Sequence, residues 1–176
     1  MIMRQGQQLL LPANPAFIWA SLLVALVLNM LLNMALWGRA AWVPDLLALA
    51  LVFWTVHQRL RVSIGAAFFF GLLMDAHQGS LLGQHALSYT VLSFFAITLH
   101  RRLLWFPVHS QALQIFPLFA AAHAISLAMR MLSGSAFPGW SLVLAPVLEA
   151  LLWPLASALL LMPQRRAPDP DEVRPL

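Results

Sequence analysis

The chain has 176 residues, of which 61% are hydrophobic and 9% charged, and a formal net charge of +4. Soluble domains carry about 25% charged residues, so too few polar groups are present to cover a water-facing exterior, and lipid must solvate most of the surface. The ten cationic residues, all Arg, stand in ones and twos between apolar runs and form no basic face, which argues against nucleic-acid binding, while the lack of cysteine excludes disulfides, Fe–S clusters and thiolate zinc sites.

The apolar run from Ala16 to Trp37 exceeds a signal-peptide core and follows only one Arg, so it reads as a retained first span over 16–37. Ser21, Ala25, Asn29 and Asn33 recur at i+4 along it. Small and amide side chains at that spacing mark a helix-contact stripe, with the partner helix in this chain or another. A second span, 43–57, starts well: Pro44 suits a first turn, and Asp45 places a carboxylate near the positive end of the helix dipole.

The third and fourth spans, 62–75 and 85–99, form a short, broken pair. Between Arg61 and Arg101 the chain has 39 residues in which to cross and return, whereas two full crossings need about 40 with no connection at all. A straight helix from Arg61 reaches Asp75 after about 20 Å, short of a hydrocarbon core roughly 30 Å thick. The polar turn after it (DAHQGSLLGQH) is therefore expected below the outer surface, lining a wet depression. Asp75, His77, Gln78, Gly79, Gly83 and His85 are its pocket and turn residues. Asp75 either contacts a ligand or partner, or fixes the turn by accepting backbone N–H groups as Asp commonly does. His85, Tyr89 and Ser93 make a stripe expected to face the interior.

A fifth span runs over 111–132 and a sixth over 141–162. His123, Ser126 and Arg130 repeat at i, i+3 and i+7 on one face of the fifth, and Glu149 lies about eight residues into the sixth. An intramembrane carboxylate is a functional candidate by default. Equal depths pair it with His123, and the four residues form either a buried polar clasp between two helices or, as the sharper alternative, a proton relay. From 163 onward the Pro-, Asp- and Arg-rich tail is expected to be disordered and cytoplasmic.

Orientation follows from arginine placement. Arg4, Arg59, Arg61, Arg101, Arg102, Arg165, Arg166 and Arg174 fall on one side of a six-span layout, and only Arg39 and Arg130 near the other. Both termini are thus expected in the cytoplasm, with Trp37, Trp42 and Trp140 in an outer aromatic belt. The domains are a polytopic membrane unit, 1–162, and the tail, 163–176. Six histidines form no tight ligand set, no metal or other cofactor is expected, and no Ser-His-Asp, phosphate-cradling or paired-carboxylate arrangement argues for catalysis.

Several ordered pieces resemble the bacterial rod shape-determining MreD family. They are Trp42-Val43-Pro44-Asp45, Phe53-Trp54, Arg61-Val62 with Gly65, and Leu152-Trp153-Pro154. The most specific piece spaces Gly71, Asp75, Gly79, Leu82, Gly83, Ala86 and Leu87. The resemblance implies an all-α, six-transmembrane-helix bundle similar in fold to the substrate-binding subunits of vitamin transporters. It further implies a non-enzymatic inner-membrane scaffold of the wall-elongation machinery, needed for rod shape and lateral peptidoglycan synthesis. The implied partners are MreC and, through it, MreB and the glycosyltransferase–transpeptidase pair, with membrane lipid around the bundle. The 75–85 mouth and the first-span stripe are the expected contact surfaces. The alternative is a small-molecule-binding or transport subunit with Asp75 and His85 as ligand contacts. A third, an intramembrane enzyme, lacks a second carboxylate or nucleophile converging on Asp75 or Glu149.

Overall fold

A computed structural model of the chain describes residues 13–35, 42–79 and 81–164. Arg4, Trp37, Arg39, Arg165, Arg166 and Arg174, and the tail from 165 onward, lie outside the described residues. Among those described there are six α-helices and no strand: α1 (Pro15–Ala35), α2 (Leu46–His57), α3 (Ile64–Gln78), α4 (Gln84–Leu104), α5 (Val108–Leu132) and α6 (Leu144–Leu161). Three apolar stretches, Pro15–Ala35, Val108–Leu132 and Trp140–Gln164, are long enough to cross a bilayer, and Leu46–His57 is a shorter apolar helix. The chain is a helical membrane protein.

α2 is the axis of the bundle. Every residue from Leu47 to Val56 is buried, as expected of a helix apolar all round, and α1, α4 and α6 pack against it. α1 buries only a seam, Ile18, Leu22, Leu26 and Asn29, and turns Trp19, Leu23, Val27 and Leu31 outward. Both fully buried tryptophans find acceptors: Trp54 Nε1 donates to Ser21 Oγ at 2.8 Å and Trp153 Nε1 to Gln111 Oε1 at 3.1 Å. A buried indole N–H left unpaired would carry a desolvation cost, so these two bonds tie α2 to α1 and α6 to α5.

The helix ends follow local chemistry. Asn14 Oδ1 accepts from Ala16 N at 3.0 Å ahead of Pro15, and Asp45 Oδ1 accepts from Ala48 N at 2.9 Å at the start of α2. α3 and α4 both outrun the expected spans. α3 continues a turn past Asp75 and stops at Gly79, whose φ of +58° suits the left-handed residue that ends a helix. α4 continues through Arg101 and Arg102 to Leu104, because hydropathy marks where lipid stops and not where backbone hydrogen bonding stops. Pro163 and Gln164, placed in the expected tail, lie in a 3-10 turn (Met162–Gln164) with Gln164 buried.

α3 and α4 lie in close contact. A Cβ placed on Gly71 would stand 2.4 Å from Ala86 Cα and 2.6 Å from Ala86 N, so only glycine admits this approach.

Candidate functional site

The α1 and α2 ends near Asn33 and Val43, the α3–α4 turn and the α5–α6 connection meet around one cavity of about 720 Å³. Arg59 and His100 are in contact at the opposite end, 3.4 Å apart. The cavity collects residues from all three groups singled out in the sequence: Asn29 and Asn33 of α1, Gln78, Gly79 and His85 of the turn, and His123, Ser126, Arg130 and Glu149 of α5 and α6.

Asp75 is fully buried and organises the turn. Its Oδ1 accepts from the His85 backbone N–H and from His85 Nδ1–H, both at 2.8 Å. Its Oδ2 accepts from Gly83 N at 2.9 Å and Ala86 N at 3.3 Å. The N–H groups that open α4 have no carbonyl of their own to meet, and this carboxylate one turn from the end of α3 supplies the acceptor. Gly83, at φ +106°, gives the backbone the bend this requires. Asp75 does not line the cavity, nor do Gly83 and His77, and His77 faces outward.

The first-span stripe is turned into this chain. Ser21 accepts from Trp54 of α2, Ala25 packs on the core, and Asn33 Nδ2 donates to Asn29 O at 2.8 Å. Asn29 Nδ2 donates to Asp45 Oδ1 at 3.1 Å while its Oδ1 accepts from Leu46 N at 3.2 Å. Ser21 and Asn29 thus meet α2, whereas Asn33 bonds its own helix and, like Ser21 and Ala25, stays partly exposed.

Asp45, read in the sequence only as a helix start, is the hub. Its carboxylate accepts from Ala48 N, Asn29 Nδ2 and the Tyr89 hydroxyl, and its own N–H donates to Glu149 Oε1 at 2.8 Å. Glu149 Oε1 also receives His123 Nε2–H at 2.8 Å. Five helices (α1, α2, α4, α5 and α6) thus share one continuous polar network. Signals for Asp45 were present: a carboxylate at the edge of an apolar run calls for partners as strongly as Glu149 does.

The clasp itself is smaller than expected. His123 and Glu149 make it, whereas Ser126 Oγ and the Arg130 guanidinium form no hydrogen bond among the described residues and face the cavity. Glu149 is fully buried, and its Oε2 has no hydrogen-bond donor among the described residues. Among those residues no group of three or more His, Asp or Glu side chains is placed to hold a metal ion.

The family description "rod shape-determining protein MreD" matches residues 13–162. The chain belongs to the MreD family. It is 30% identical over 142 residues to the rod shape-determining protein MreD of Haemophilus influenzae, covering 77% of this chain and 85% of that one. No solved structure matches it. The family pieces occupy the positions just described: Asp45 at the hub, Trp54 and Trp153 at the two indole bonds, and Gly71, Asp75, Gly83 and Ala86 at the α3–α4 contact. MreD membership makes this a rod shape-determining protein, and its apolar helices fit the inner membrane.

Proposed function

We propose that the chain is a non-enzymatic scaffold of the wall-elongation machinery, crossing the inner membrane six times with both termini in the cytoplasm. Its partner is a single-span protein of the MreC type, and through it MreB and the glycosyltransferase–transpeptidase pair that builds lateral peptidoglycan. The supporting observation is where polarity goes. Polar side chains of five helices close on one another inside the chain, while α1 and α6 present outward rows such as Trp19, Leu23, Val27 and Leu31, and Leu151, Leu155 and Leu159. Apolar helix faces of this kind accept lipid or a partner's transmembrane helix, and between helices in lipid packing decides the choice. The 75–85 mouth remains the proposed periplasmic contact, through exposed His77, Leu81 and Leu82.

The transport-subunit reading is less favoured because Asp75, its principal ligand contact, holds the α3–α4 turn. Affinity purification in mild detergent separates the two. The scaffold recovers its MreC-type partner in fixed stoichiometry; recovery of the folded chain alone, from cells that contain that partner, would count against it.

A further inference from the structure

Two groups that line the cavity have hydrogen-bonding capacity that the fold leaves unused among the described residues. Glu149 is fully buried, with Oε1 engaged twice and Oε2 without a donor among the described residues. An acceptor left unmet at such depth carries a desolvation cost that a purely structural clasp has no reason to retain. Arg130 lines the same cavity and its guanidinium has no partner among the described residues. Along α5 it stands seven residues beyond His123, which holds Glu149, a rise of about 10 Å that a long arginine side chain can partly close.

The rest of the lining includes uncharged donors and acceptors, Asn33, Gln84, Ser88 and Ser126 among them, beside the imidazoles of His85 and His123. Asp45, the other carboxylate at the cavity, already accepts from three groups. The volume, about 720 Å³, lies within the range of roughly 300–1,000 Å³ for small-molecule sites. Glu149 Oε2 is an acceptor covered at the deep wall and Arg130 a half-buried cation, so a ligand of opposite layout complements them once wall side chains turn aside from Oε2.

We propose that this cavity binds a small zwitterionic group, with an ammonium donating to Glu149 Oε2 and a phosphate or carboxylate on the Arg130 guanidinium. The ammonium meets the deep carboxylate in a charge-assisted hydrogen bond, and the anion takes the planar fork of the guanidinium. Such a group is offered by a free metabolite or by the headgroup of an aminophospholipid. The site extends beyond the scaffold role and stands independently of it, since recovery of the MreC-type partner does not report on cavity occupancy.

The test uses the purified full-length chain. In detergent it is titrated with glycerophosphoethanolamine, with 6-aminohexanoate and with glycerol 3-phosphate, which lacks the ammonium. In parallel it is placed in phosphatidylglycerol nanodiscs with and without phosphatidylethanolamine, reading thermal stability. The expected result is saturable binding of at least one of the three zwitterions, weakened about tenfold or more by Glu149→Gln and by Arg130→Gln. Glycerol 3-phosphate should not distinguish the wild-type chain from Glu149→Gln. Binding of the free probes assigns a soluble ligand; stabilisation by phosphatidylethanolamine alone assigns a lipid headgroup. Arg130→Gln breaks no hydrogen bond or ion pair among the described residues, so it stays informative if Glu149→Gln unfolds. Failure of all three zwitterions to bind the folded wild-type chain overturns the proposal, as does binding that Arg130→Gln leaves unchanged.

Discussion

The backbone N–H of Asp45 donates to Glu149 Oε1 across 2.8 Å, joining residues 104 positions apart. Because Asp45 also caps α2 and holds Asn29 and Tyr89, a change at either carboxylate reaches five helices. Glu149→Leu removes the acceptor for both Asp45 N–H and His123 Nε2–H. Each orphaned donor costs about 1–3 kcal/mol, and thermal unfolding in detergent should show a large loss. Glu149→Gln keeps one carbonyl oxygen and should lose less. The proton-relay alternative separates cleanly here: it requires the folded Gln variant to lose rod-shape complementation, whereas a clasp tolerates it.

Gly71 and Gly65 make an internal control. A Cβ at Gly71 would meet Ala86 backbone atoms at 2.4 and 2.6 Å, whereas one at Gly65 meets nothing within 4 Å. Gly71→Ala should therefore force α3 from α4 and destabilise by about 1–3 kcal/mol or more. Gly65→Ala, in an open helical position, should be neutral or stabilise by up to about 1 kcal/mol. Melting temperatures of the two variants side by side decide it.

At Asp75 the usual conservative exchange is not conservative. Donors approach both carboxylate oxygens, and an amide offers one acceptor and turns an NH2 toward the rest. Asp75→Asn should thus loosen the turn nearly as much as Asp75→Ala. Hydrogen exchange over residues 79–87 reads this directly, and wild-type protection in the Asn variant would refute the capping role.

The absence of cysteine makes topology straightforward to map. His77 and Leu60 are exposed near opposite ends of α3 and α2. His77→Cys should react with a membrane-impermeant maleimide in cells whose outer membrane alone is permeabilised. Leu60→Cys should react only once the inner membrane is opened. The reverse pattern would invert the proposed orientation.

Helix positions were legible because apolar runs set where spans lie. The His123–Glu149 pair was legible too, because helical rise converts residue count into depth. What escaped was whatever depends on which helix lies beside which. Asn29 reads as a contact residue at i+4 spacing, yet nothing in spacing says that its partners are Asp45 and Leu46. Asp75 looked like the point where a helix breaks, but its acceptors serve backbone donors eight to eleven residues on, so the helix continues past it to Gln78. A depression beside the 75–85 turn is legible in the sequence, but not that Asn29, Asn33, Asp45 and Glu149 form its other walls, because these come from helices distant in the chain.

A bundle that serves rod shape as the proposed scaffold of wall elongation must be needed for cell width. Depleting the chain in its host while imaging cell width tests that most directly. Rods should widen and round into spheres, and re-expressing the wild-type chain should restore their width. Cells that keep their rod shape through depletion, particularly with a new nutrient requirement, would contradict it and favour an uptake role.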